Sequence, residues 1–221
     1  LYNDEDGLKY DYCSGNFINY KYSKSGDFLS KSYYKEMSTD KLEYNSGGLF
    51  MIKKSLWISV NGMKNKLRRS QDWDLSFRLA SKGYLLRRIK ETLANHHTIP
   101  YQHISRIWEM FFNGDRHYRI VILRENLFNK FQWKHFIRIN YTFILLILSV
   151  CSSFLYSNFY LLTFYLGFIV FRAILRRPSS VLVLLSDIFL IFLYEISIVP
   201  CLLFFWPKNY KEEYEFINPK T

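Results

Sequence analysis

The sequence predicts an α/β domain followed by a group of long apolar helices, and three observations carry that prediction. A paired glycine, Gly47-Gly48, leads into the apolar run Leu49-Phe50-Met51-Ile52 and then into a segment with helical spacing. A second helix, from about Gln71 to Lys82, begins on carboxylates and stops at Gly83. From Phe136 to Trp206 the chain is almost continuously apolar, whereas residues 1–135 have a mixed composition. Alternation of strands and helices in the first part is the pattern of an α/β layer. The apolar segments of the second part approach the length that crosses a bilayer.

The formal net charge is +11, and aromatic residues make up 19% of the chain. No basic run interleaved with stacking aromatics points to nucleic acid. Most Arg and Lys residues of 106–138 sit just before the apolar segments, which suits an anionic membrane surface. Cys13, Cys151 and Cys201 are an odd set without CxxC spacing, which argues against a disulfide framework or a zinc site. The start, Leu1-Tyr2-Asn3-Asp4-Glu5-Asp6-Gly7, lacks a signal-peptide pattern and reads as a chain opened partway through a domain.

Residues 1–44 carry short strands between turns. Asp4, Glu5 and Asp6 read as a solvated turn closed by Gly7. Tyr10-Asp11-Tyr12-Cys13 and Phe17-Ile18-Asn19-Tyr20 alternate about Ser14-Gly15-Asn16, which predicts a hairpin. Gly47-Gly48 lets the backbone turn tightly and approach a ligand without Cβ atoms in the way. Leu56, Trp57 and Val60 then recur at helical spacing, and Asn61-Gly62 ends that helix. Lys64, Lys66, Arg68 and Arg69 form a basic loop, read either as a solvated surface or as a site that attracts a diphosphate.

On the second helix Trp73, Phe77 and Ala80 share one face, and Leu75 and Leu79 share another. Asp72 and Asp74 stand about 200° apart, so they cannot both face one cleft. A carboxylate in the first turn is favoured as the anion by the helix dipole. Tyr84 to Leu93 reads as a strand with Arg87, Arg88 and Lys90 outward, leading to Asn95-His96-His97. Ile104 to Phe128 reads as one helix, or two broken near Asn113-Gly114. Its aromatic face, with Trp108 and Phe111, opposes Arg106, Arg116, Arg119 and Arg124, the composition of a helix in the membrane interface. His117 and His135 read as interfacial. Phe136 to Ile174 breaks at Ser157-Asn158 and predicts a helical hairpin. Arg138 before it and Arg172, Arg176 and Arg177 after it place both ends in the cytoplasm. Val181 to Trp206, with Asp187, Glu195 and Pro200, reads as a third span or as an interfacial, re-entrant piece, with the span preferred. The domain boundaries follow: 1–103, 104–135 amphipathic, 136–206 in the membrane (about 136–156, 159–175 and 181–206), and 207–221 a polar tail.

The order Gly47-Gly48, apolar strand, helix, loop, then Gln71-Asp72 at a helix start resembles the acceptor-side half of an inverting family-2 glycosyltransferase with a GT-A fold, of the bacterial lipid-linked polysaccharide or rhamnosyl type. The resemblance covers roughly residues 1–125. It implies the C-terminal half of a GT-A domain, followed by an interfacial helix and two or three transmembrane helices in the bacterial inner membrane, with the catalytic part cytoplasmic. It implies transfer of a sugar from a nucleotide-sugar donor to a lipid-linked glycan acceptor. Asp72 would be the catalytic base, and Gly47 and Gly48 would shape the acceptor loop. Trp73 would either pack or stack on a sugar. His97, then His96, with His103 a weaker alternative, would help hold a divalent ion, Mg²⁺ or Mn²⁺, shared with a donor-binding half preceding Leu1. Arg68, Arg69, Arg116 and Arg119 would meet phosphates and membrane lipid. Residues 1–221 alone would then be inactive. The family has Glu-Asp where this chain has Gln71-Asp72. Two rivals are a non-catalytic membrane scaffold and a transporter subunit built on Asp187 and Glu195.

Overall fold

The computed structural model describes residues 2–3, 7–8, 10–23, 25–35, 37–44, 48–99, 104–157, 159–178 and 180–207. The Asp4–Asp6 turn, Gly47, His103, Asn158 and the tail from Lys208 lie outside the described residues. Among the described residues the chain is mixed α/β, with a mixed sheet and eight helices.

Strands β1 (Tyr2–Asn3) and β2 (Gly7–Leu8) pair with each other. The hairpin expected within residues 10–20 is instead one continuous strand, β3 (Tyr12–Tyr22), which turns back at Gly26 into antiparallel β4 (Phe28–Tyr33). Gly15 does not mark a turn. A Cβ there would stand 2.1 Å from Leu93 Cγ, so glycine permits close approach to the neighbouring strand at a bulge. Strand β5 (Lys41–Glu43) lies on the far side of that neighbour, and β6 (Met51–Ile52) pairs with the start of β3. The neighbour, β7 (Leu86–Thr98), runs parallel to β3 and lies between β3 and β5.

Helix α1 (Lys54–Ser59) ends at Asn61 and Gly62, both at positive φ. Helix α2 (Gln71–Ser81) stops at Gly83, whose φ of +93° supports backbone bonds from Gly83 to Ala80 and from Tyr84 to Leu79. The two apolar faces of α2 separate two cores. Leu75 and Leu79 pack with Tyr12, Leu56, Val60 and Leu86 under the sheet. Phe77 packs with Leu67 and with α4 (Tyr118–Glu125) on the other side. Burying each such side chain contributes about 1.5–3 kcal/mol, so α2 is held on both flanks.

Helix α3 (Ile104–Phe112) precedes α4, and the chain breaks between them at Asn113–His117, with Gly114 at φ +69°. Helix α5 (Lys130–Ile139) is capped by the Asn129 side chain and bends 77° at Asn140 into α6 (Tyr141–Tyr156). Helix α7 (Tyr160–Leu175) returns against α6, and α8 (Val181–Phe204) follows. Helix α8 is long and apolar enough to cross a membrane, α5 and α6 qualify only as a bent pair, and α7 is a shorter apolar helix.

This helical region is arranged inside out. Large apolar side chains such as Leu148, Phe164, Phe168, Phe171 and Ile174 are exposed, while Thr142, Ser149, Ser153, Asp187 and Glu195 are buried. The two acids are paired. Glu195 accepts from Thr142, from Tyr165 Oη at 2.9 Å and from Arg172 at 2.8 Å, and Asp187 meets Arg176 at 3.3 Å. Pairing is what makes a buried acid tolerable among apolar helices.

The candidate active-site cleft

A cleft of about 1140 Å³ opens between the sheet, the start of α2 and the α3–α4 break. Its walls bring together Gly48, Arg68, Arg69, Asp72, Trp73, His96, Arg116 and Arg119, residues drawn from six parts of the chain. Gly48, at φ +43°, donates its backbone N–H to Asp72 Oδ2 at 3.1 Å. The glycine turn and the candidate base are therefore in direct contact.

Asp72 occupies the second position of α2, behind Ser70, a non-glycine residue at φ 60°. Asp72 faces the cleft, whereas Asp74 turns away and is fully buried, bonded to Lys64, Arg78 and Asn126. Burial pushes the Asp72 carboxyl above the usual Asp range, against the opposing pull of the Gly48 and Trp73 N–H groups and of Arg119. Burial thus outweighs the helix-start stabilisation that the sequence suggests. A carboxylate with raised proton affinity, on a cleft wall, is suited to accept a proton.

The basic loop divides into two roles. Lys64 and Lys66 are turned to Glu125, with Lys64 also on Asp74. Arg68 and Arg69 stand on the cleft wall beside Asp115, with Arg69 Nε 3.0 Å from its carboxylate. Arg119 lies over the Trp73 ring at 4.6 Å. Trp73 also packs edge-on against His135, 4.4 Å between ring centroids, while still lining the cleft. His135 is thus a buried packing residue, pushed down to a pKa of about 4 by burial and by Arg138 and Arg119, and not the interfacial residue the sequence suggests. Burial beside Arg119 and Arg176 lowers the Arg116 pKa to about 10, which leaves it protonated at neutral pH.

The two histidines fall on opposite faces of β7, because successive strand residues alternate. His96 pairs in register with Asn19 and lines the cleft, its Nδ1 2.9 Å from Asn19 Oδ1. His97 stacks on Tyr20 and Tyr22 on the other face, its Nδ1 3.0 Å from the Tyr22 hydroxyl. The second choice from sequence, not the first, shares the cleft with Asp72. Among the described residues no three His, Cys, Asp or Glu side chains converge.

Sequence reasoning missed Asn19, Lys21, Tyr33, Tyr34 and Asp115 on the cleft wall. Alternation along β3 puts Phe17, Asn19 and Lys21 on one face, but only the pairing with β7 turns that face to the cleft. Arg88, expected outward, is fully buried and bonds Glu43, Ser14 Oγ and the Gly15 carbonyl. Adjacent strand residues cannot share a face, so Arg87 and Arg88 had to separate. Among the described lining residues, five are basic (Lys21, Arg68, Arg69, Arg116 and Arg119) and two are carboxylates, Asp72 and Asp115, which favours an anionic ligand. Comparison with known proteins found no matching family model, no matching curated protein and no matching solved structure.

Proposed function

We propose that the chain is the acceptor-side part of an inverting glycosyltransferase of the GT-A type, acting on a lipid-linked glycan at the cytoplasmic face of a membrane. The observation that carries this reading is the cleft in which the Gly48 amide meets the Asp72 carboxylate among arginines. Asp72 takes the proton of an acceptor hydroxyl as its oxygen attacks the anomeric carbon of the donor sugar. The new C–O bond forms as the bond to the nucleotide diphosphate breaks, and that electron pair leaves with the diphosphate. The arginines along the cleft favour the phosphate groups of donor and acceptor. The exposed apolar surface of α6 and α7 supports immersion of this hairpin in lipid.

The test is incorporation of label from a panel of radiolabelled nucleotide sugars into the lipid extract of membranes holding the protein expressed from its natural reading frame. Transfer that Asp72→Asn abolishes supports the reading, and transfer that survives it sinks the base assignment. The scaffold reading is favoured by Gln71, which removes the charge of the family's Glu, and it expects no label in either sample. The transporter reading expects the reverse dependence, on Asp187 and Glu195. The ion pairs of those acids with Arg176 and Arg172 favour a structural role instead.

A further inference from the structure

Helix α8 is the described helix that best meets the length and apolarity needed to cross a bilayer, yet both of its ends are tied to the same side of the molecule. The α6–α7 hairpin defines the sides. Arg172, in the last turn of α7, donates to the Ile139 carbonyl and to Thr142, so the end of α7 is level with the start of α6. That level is the base of the hairpin, where α5 joins the globular domain. Five residues separate α7 from α8, and Asp187, about two turns into α8, meets Arg176 at the same base.

The other end of α8 is held by the globular domain. The Arg124 guanidinium on α4 donates to the carbonyls of Leu202 and Phe205, each at 3.0 Å, and lies 3.6 Å from the centroid of the Trp206 ring. Phe205 packs against the core formed by Leu67, Phe77 and Tyr118, the core that supports α2. Between these anchors, Tyr194 and Ile198 pack on Ile120, Leu123 and Phe136. A 24-residue helix is about 36 Å long, enough to cross a hydrocarbon core of about 30 Å. With both ends at the hairpin base it instead runs along the membrane surface.

We infer that α8 does not cross the bilayer but lies in the interface on the side of the globular domain. Its occupant is the lipid headgroup–acyl boundary. Leu182, Leu185, Phe189, Ile196, Val199 and Leu203 form one exposed apolar stripe along the helix. The Arg124–Trp206 pair marks its end with the side chains that favour such a boundary. The helix thereby braces α4, which carries Arg119, against the hairpin.

This inference rests on the membrane part of the proposed function and not on the transferase part. Its test places one epitope tag ahead of Leu1 and one behind Thr221. Membranes are washed with alkaline carbonate, and sealed vesicles of both orientations are treated with protease. The expected result is retention through the wash and loss of both tags in the same vesicle orientation. Loss of the two tags in opposite orientations means that α8 crosses, and overturns the inference alone. Release by carbonate overturns the membrane reading and this inference with it.

Discussion

Replacing Asp72 with Asn separates chemistry from stability at the cleft. Asn keeps the size of the side chain and an oxygen that can accept the Gly48 N–H now at 3.1 Å, but it cannot take up a proton. General base catalysis contributes about 10²–10⁴-fold, or roughly 3–5 kcal/mol of barrier, so transfer falls by that factor with little change in acceptor KM. The wild-type pH profile has an acidic limb set above the ordinary Asp value near 3.8, because burial raises the Asp72 pKa, and the limb disappears in the variant. The stability sign is opposite to that of a salt-bridged Asp. A raised folded pKa gives stability that is full below the unfolded value and is lost as pH rises through the folded one. At neutral pH the ionised Asp72 therefore weighs on the fold, and Asp72→Asn unfolds no earlier than wild type. Asp74→Asn is the contrast. That carboxylate is fully buried among Lys64, Arg78 and Asn126, and breaking such a group costs about 3–5 kcal/mol, visible as a lower unfolding temperature in detergent. Transfer within threefold of wild type in Asp72→Asn, with the acidic limb intact, refutes the assignment.

Three further outcomes follow from named contacts. Arg88→Ala leaves Glu43 and the Ser14 hydroxyl without their buried partner and lowers stability by about 3–5 kcal/mol. Arg87→Ala changes it by less than about 0.5 kcal/mol, and equal thermal shifts for the two contradict the strand alternation. Ser70→Gly relieves a left-handed residue at the start of α2 and raises stability by about 1 kcal/mol, so a lower melting temperature speaks against strain there. Arg119→Gln removes a charge from the cleft and a contact over Trp73. Acceptor KM rises about 10–100-fold, the equivalent of one charge-assisted hydrogen bond, and an unchanged KM places the anion elsewhere.

The sequence by itself determined the features that depend on neighbours along the chain. The spacing of Leu75 and Leu79 against Trp73 and Phe77 gave α2 its two apolar faces, and each face meets a separate core. Asn61-Gly62 and Gly83 ended helices because they alone accept positive φ cheaply there. The separation of Asp72 from Asp74 by helical geometry anticipated one carboxylate in the cleft and one in the core. Tertiary structure decided what depends on which faces meet. Spacing places His96 and His97 on opposite faces of a strand, but only the parallel register against β3 sends His96 to the cleft and His97 to Tyr20. Asp115 joins Arg68 and Arg69 across more than forty residues, a pairing that no local pattern records. The same holds for α8. Its length and apolarity are local and read as a span, while the bonds of Arg124 to Leu202 and Phe205 that hold its far end to the globular domain are long-range. Periodicity fixes how a side chain is oriented on its own element, and the docking of elements fixes what it faces.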